Sequence, residues 1–245
     1  MAIDPITGEH IAIKHDNVID NFKIIDNFLQ FEEGYFYKFE ALVRNTDGEN
    51  PLYYEGISNT NKNILIKNWF VDSKEYYEKI KNEMKVLCTL TGARLYITLD
   101  RKSNRKLIRT IFSKVNEMIL ETLKGTNYGV KKINKLMSSC SSLIDSSDTE
   151  MKTIMFDVDT KNSAVLEALI CYIREKNQIP YILTTKKGYH VFCYKKFNLI
   201  HWDTFATSCF IDTYPGTNTE TIKQLISDMT KVSMKENQLG LVYCR

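Results

Sequence analysis

KTIMFDVDTKNS, residues 152–163, carries an apolar run, Ile154-Met155-Phe156, into Asp157, Val158 and Asp159 and then into a polar turn. A short β-rich run bounded by a turn reads as a strand. Residues i and i+2 of a strand share a face, so Asp157 and Asp159 project to one side and Val158 to the other. Two carboxylates that close repel each other unless a cation lies between them. Mg²⁺ or Mn²⁺ suits the position, because both take hard oxygen ligands and complete their shell with phosphate oxygens and water. Most acidic pairs at strand ends mark only a solvated edge, so the neighbouring sequence has to decide.

The residues that follow supply a rhythm. "SAVLEALICYIREKN" has helical spacing, Pro180 opens the strand "YILTT", and "KKG" turns the chain into the strand "YHVFCYK". The last two strands are close enough to form a hairpin. "TETIKQLISDMTKV" is a further helix and "LGLVYCR" a final strand, with a short extra strand at "CFID". The expected order, β-α-β-β-α-β, is that of the ferredoxin-like or split βαβ unit.

The hairpin "TTKKGYHVF", residues 184–192, is the second chemical element. Gly188 lets the backbone bend tightly and lets a phosphate approach. Lys186 and Lys187 flank it, and His190 starts the return strand. These three are candidate nucleotide-binding residues, the lysines as charges and the histidine as a donor or proton carrier.

Together, "IMFDVD", a helix, a strand and "TTKKGYHVF" resemble the archaeo-eukaryotic primase superfamily, which includes the small primase subunit and phage and plasmid primase-polymerases. The second motif usually opens with Ser, where Thr184 or Thr185 stands here. The resemblance implies an α+β, two-lobed domain with an RRM-like catalytic half. It also implies two divalent ions, Mg²⁺ or Mn²⁺, and template-directed nucleotidyl transfer from nucleoside triphosphates on a single-stranded nucleic-acid template. The motifs cover residues 151–245, the expected catalytic lobe. Residues 1–150 match loosely as an N-terminal α/β accessory lobe, with the boundary in the Ser- and Asp-rich stretch 134–150.

The family places a third acidic residue at the end of a later strand. Asp212, in "CFIDTYPG", is the favoured candidate, and Asp228 and Glu236 are its rivals. Asp157, Asp159 and Asp212 are thus the expected metal ligands and catalytic carboxylates. Helicase and zinc modules often accompany primases, and this sequence shows neither, so a replicative helicase would act in trans.

Elsewhere the best basic patch is "RLYITLDRKSNRKLIR", residues 94–109, with Arg94, Arg101, Lys102, Arg105, Lys106 and Arg109. Cations at a helix start oppose the helix dipole, which points to phosphate binding. Tyr96 among them is a candidate platform for a stacked base. "NVIDNFKIIDNFLQF" reads as a short amphipathic helix. "SKEYYEKIKNEMKVLCTL" reads as a longer one, with Ser73 as N-cap and Gly92 just past its end. The clearest helix is "NRKLIRTIFSKVNEMILETLKG", with Leu107, Ile111, Val115, Ile119 and Leu123 on one face and Gly125 as its stop.

Composition sets the outer limits. The chain has 245 residues and a net charge of only +3, so a nucleic-acid surface has to be local rather than global. Six cysteines lie far apart without metal-ligand spacing, several in apolar runs, as in a reduced protein. No leading apolar segment or membrane-length apolar run is present, so a soluble, cytoplasmic protein is expected. A Lys-, Asn- and Ile-rich composition suits an AT-rich phage or mobile-element genome. P-loop, dinucleotide and Ser-His-Asp fingerprints are absent. Two alternatives use the same residues: a nucleic-acid-binding protein of this fold without catalysis, and a metal-dependent nuclease or phosphoesterase.

Overall fold

Among the described residues, two larger antiparallel sheets, a separate two-stranded pair near the start of the chain and the helices give an α+β architecture. The computed structural model describes residues 2–3, 10–11, 18–44, 63–125, 133, 136–144, 152–194, 219–236 and 239–244. Its strands are β1 (Ala2–Ile3), β2 (His10–Ile11), β3 (Ile19–Asp20), β4 (Tyr35–Val43), β5 (Ile64–Val71), β6 (Arg94–Thr98) and β7 (Lys102–Ser103) in the first part of the chain. β8 (Thr153–Val158), β9 (Tyr181–Thr184), β10 (Tyr189–Tyr194), β11 (Val232–Glu236) and β12 (Leu239–Cys244) follow. The helices are α1 (Phe22–Phe28), α2 (Lys74–Thr91), α3 (Asn104–Leu123), α4 (Leu136–Leu143), α5 (Ser163–Glu175) and α6 (Thr219–Met229). None of these helices is long and apolar enough to cross a membrane.

Local chemistry explains several helix ends. Ser73 accepts from the Tyr76 N–H, and Gly92 takes φ 65°, so α2 begins and stops where its sequence indicates. Ser103 caps α3 by accepting from the Lys106 N–H. Asn162 caps α5 by accepting from Ala164 N–H. The apolar stripe of α3 behaves differently from its sequence reading. Leu107 is buried with Phe36, Cys140 and Ile144, but Ile119 and Leu123 are exposed. The helix packs on α4 through Leu107 and Ile111.

The smaller sheet has the order β11-β8-β10-β9. With α5 after β8 and α6 before β11, this is the split βαβ connectivity. Ile154, Phe156, Val158, Val191 and Cys193 face the helices and meet Val165, Leu169, Tyr172 and Ile173. Met155 and Phe192 point the other way, into the core of the larger sheet. That sheet runs β3-β12-β6-β4-β5, with β7 pairing β4.

The last strand corrects the sequence reading. "LGLVYCR" was expected to complete the second-half unit, but Val232–Glu236 fills that place, and β12 lies between β3 and β6 of the larger sheet. The reason is burial. β12 is buried along nearly its whole length, which requires a central position, whereas Ser233 and Met234 of β11 are exposed and suit an edge. "CFID" lies outside the described residues.

The two sheets also share apolar packing. Met155, Leu183 and Phe192 belong to the same apolar cluster as Phe28, Tyr37 and Phe39. Phe28 meets Phe192 edge-on at 4.8 Å, and Tyr181 stacks on Phe192 at 5.2 Å. Two polar contacts tie the sheets as well. Asp100 Oδ1 accepts from the Thr153 N–H at 2.6 Å and its hydroxyl at 2.7 Å. Asn21, 5% exposed, donates through Nδ2 to Thr184 O and Leu241 O and accepts from Thr184 N–H through Oδ1. Its amide thus joins the end of β9 to β12, with both N–H groups and the oxygen paired. Asn21→Ala leaves buried backbone groups without partners, each costing about 1–3 kcal/mol. Urea unfolding is expected to show destabilisation of about 2 kcal/mol or more.

Candidate functional site

The cleft between the two sheets has a volume of about 560 Å³. The smaller sheet contributes Met155, Asp157, Asp159, Thr185, Lys186, Lys187 and His190. The larger sheet contributes Arg44, Arg94, Tyr96, Leu239 and Leu241. The acidic pair and the Lys-Lys-His hairpin, 27 residues apart at their nearest members in sequence terms of Asp159 and Lys186, therefore share one space.

Strand pairing places them. Asp157 lies opposite His190 in the β8–β10 register. Val158 is fully buried toward the helices, so Asp157 turns into the cleft, and Asp159 follows just past the strand end. The Asp159 N–H donates to Lys231 O at 3.1 Å, which fixes the loop against the segment entering β11.

The hairpin turn closes on itself. Thr185 N–H donates to Gly188 O at 2.9 Å, and Gly188 N–H donates to Thr185 Oγ1 at 3.0 Å. Thr185 is thus the hydroxyl residue that the turn uses. A Cβ on Gly188 would lie 1.9 Å from Val158 O and 2.7 Å from Thr160 O. The glycine is required by this close approach of two backbones. Its bareness seats the lysine turn directly on the loop that carries the carboxylates.

His190 is held from both sides. Its Nδ1 accepts from the Leu241 N–H at 3.4 Å, and its Nε2 lies 3.6 Å from Asp157 Oδ1. Assigned from this hydrogen bond, the neutral ring carries its proton on Nε2, facing the acid. Lys186 and Lys187 are exposed at the cleft.

The basic stretch 94–109 is not brought together. Arg94 reaches the cleft, but β6 separates it by its whole length from the rest. Arg101 is 8% exposed, pairs with Glu32 at 2.9 Å and lies over the Tyr35 ring, so it braces the fold. Lys102 donates to Ser141 O and ties β7 to α4. Arg105 and Arg109 are exposed on α3, and Lys106 is half-buried there. Tyr96 is not an open stacking platform: it is 2% exposed, with the Arg44 guanidinium 5.0 Å over its ring.

Of the candidate third acids, Asp212 lies outside the described residues, as does the side chain of Glu236. Asp228 is committed to structure. Its carboxylate accepts from Asn162 at 3.0 Å, Lys231 at 2.7 Å and Gln224 at 3.3 Å. The Asn162 bond, then the Lys231 bond, hold it below the usual carboxylate range. Among the described residues, no three His, Cys, Asp or Glu side chains form a group able to hold a metal ion. Sequence reading missed Arg44, which follows β4 with no local pattern around it, and Asn21, which sits inside what reads as a helix start. No protein-family model, curated protein or solved structure matches the chain.

Gly188→Ala is expected to displace the hairpin from the Asp157–Asp159 loop, because the clash is with backbone that cannot rotate away. Amide shifts in 184–190 and 157–160 and a lowered melting temperature would report it. Asp228 gives a pH signature. Its folded pKa is depressed, so its contribution is present above the unfolded value of about 3.9 and is lost as pH falls through the folded value. The melting-temperature gap between wild type and Asp228→Asn is expected to be largest above about pH 5 and to shrink steadily below about pH 4.

Proposed function

We propose that the chain is a template-directed nucleotidyltransferase of the primase or primase-polymerase kind, joining nucleoside triphosphates on a single-stranded nucleic-acid template. One observation carries the reading: Asp157, Asp159, Lys186, Lys187 and His190 line a single cleft. In this proposal the smaller sheet is the RRM-like catalytic half of a two-lobed primase-like domain, and the larger sheet is its accessory lobe. The resemblance of "IMFDVD" and "TTKKGYHVF" to the archaeo-eukaryotic primase motifs supports the same assignment.

The donor set fits a hard divalent cation. Two carboxylates enter the cleft from the end of β8 and the residue just past it, and among the described residues Asp159 has no ion-pair partner that would use up its charge. Asp157 and Asp159 would hold Mg²⁺ or Mn²⁺, with Asp212 as the proposed third ligand. Such ions, when bound, acidify the attacking 3′-hydroxyl and neutralise charge on the leaving pyrophosphate.

The chain's own groups supply binding and orientation. Lys186 and Lys187 attract the polyphosphate as mobile point charges. Gly188 keeps the turn low, so that a phosphate meets main chain rather than a side chain. His190 presents its Nε2–H toward the carboxylate side of the cleft, where it can donate to a phosphate oxygen. Leu239, Leu241 and Met155 give the floor an apolar character that strengthens these charge interactions. An intracellular setting and a helicase acting in trans belong to the same proposal.

Incorporation of labelled nucleotides on a single-stranded template with Mg²⁺ or Mn²⁺ is the test. Asp157→Ala and Asp159→Ala are each expected to lower the rate by about 10²–10³-fold, the scale seen when one electrostatic stabiliser is lost. Chelation of divalent ions is expected to abolish incorporation. Shortening of the strand in place of extension would turn the reading to a nuclease. Full activity in the Asp157→Ala, Asp159→Ala double variant would end it.

A further inference from the structure

The larger sheet brings a second set of charges to the cleft, from residues that the proposed chemistry does not use. Arg94 begins β6 and pairs with Leu42 of β4, so Arg44 lies just beyond that pair at the same end of the neighbouring strand. Arg94 and Tyr96 are two apart on one strand and share a face. Arg44 lies on the same side, with its guanidinium 5.0 Å over the Tyr96 ring. Arg94, which shares the strand with Tyr96, lines the cleft beside it. Tyr96 is 2% exposed and packs with Leu241, so it is a fixed support for Arg44. The cation–π contact restrains the Arg44 side chain, which otherwise loses much rotamer freedom on binding.

We propose that Arg44 and Arg94, set around Tyr96, form a second anion subsite that grips the phosphodiester backbone of a single-stranded nucleic acid along the larger-sheet wall of the cleft. The argument rests on the assignment of the other wall to a nucleoside triphosphate. Charge comes first. Arg44 and Arg94 stand on the wall across from Lys186 and Lys187, so cations line the cleft on two separate sides and one polyphosphate held by the hairpin does not engage both. Side-chain chemistry comes second. The hairpin uses lysines, which follow a flexible polyphosphate, whereas this wall uses guanidiniums whose planar forks match the two free oxygens of a phosphodiester. Surroundings come third. Leu239 and Leu241 border the arginines within the cleft, so apolar surface for sugar and base lies beside the phosphate contacts.

The test separates the two walls without requiring turnover. Affinity for a 5′-labelled single-stranded oligonucleotide is read by fluorescence anisotropy of the whole chain over a salt series, and triphosphate affinity by a fluorescent nucleoside triphosphate. Arg44→Gln with Arg94→Gln is expected to weaken oligonucleotide binding by about tenfold or more and to reduce the salt slope by about 1.4, at roughly 0.7 per lost phosphate contact. Triphosphate affinity is expected to change less than about twofold, within the range of weak secondary effects. Lys186→Gln with Lys187→Gln is expected to give the reverse pattern. The charge-retaining pair Arg44→Lys, Arg94→Lys covers the case in which the glutamine variant unfolds. It should keep the salt slope and still lose affinity, because the forks are gone. Unchanged oligonucleotide affinity in the variant that folds, or an equal loss for both ligands, overturns the subsite. If wild type never incorporates nucleotides but the arginine effects hold, the polymerase reading falls and the strand-binding wall stands.

Discussion

Antiparallel pairing of β8 with β10 sets Asp157 against His190, and nearly everything in the cleft inherits its position from that register. The side-chain period of a strand is two, so a slip of one residue would exchange the faces of the slipped strand. In β8 such a slip would drive Asp157 into the helix-facing layer of Phe156 and Val158 and bring those apolar groups into the cleft. The register is secured by burial on both sides. Phe156 and Val191 must meet α5 on one face, while Met155 and Phe192 must enter the larger core on the other. A polar pair thus occupies the one end of the strands where the sandwiching cores leave a gap.

The second requirement is that the two sheets keep a fixed separation around that gap. Asp100 holds the start of β8, and Asn21 holds the end of β9, at opposite limits of the smaller sheet. Phe28, with Tyr181 and Phe192 around it, fills the space between. Gly240 allows the closest approach: a Cβ there would lie 2.9 Å from the Leu183 side chain and 3.0 Å from that of Leu99. These contacts fix the two sheets against each other around the cleft, which favours preorganisation.

Local features were legible in the sequence where the chemistry is local. Ser73 and Gly92 delimit α2 because caps act on backbone groups within one turn. The Asp-Val-Asp alternation and the Lys-Lys-Gly turn could be read because strand period and turn chemistry are short-range. Long-range arrangements were not legible. Asn21 makes its bonds to residues 163 and 220 positions away, and nothing beside it in sequence records that. Arg101 looks like part of a basic run, yet its guanidinium is used internally by Glu32. The destination of β12 depended on comparing it with Val232–Glu236, a more polar segment whose strand character comes mainly from its pairing with β8.

The seat of β12 between β3 and β6 has a temporal meaning. Synthesis runs from the first residue onward, so the larger sheet stays divided until residues 239–244 have left the ribosome. His190 waits for the same event, because the amide that orients its ring belongs to Leu241. Joining partners more than two hundred positions apart is a slow, late step for a chain of this size. A nascent chain that has not yet paired Leu239–Cys244 therefore carries Asp157, Asp159, Lys186 and Lys187 without the Leu239 and Leu241 border of the cleft.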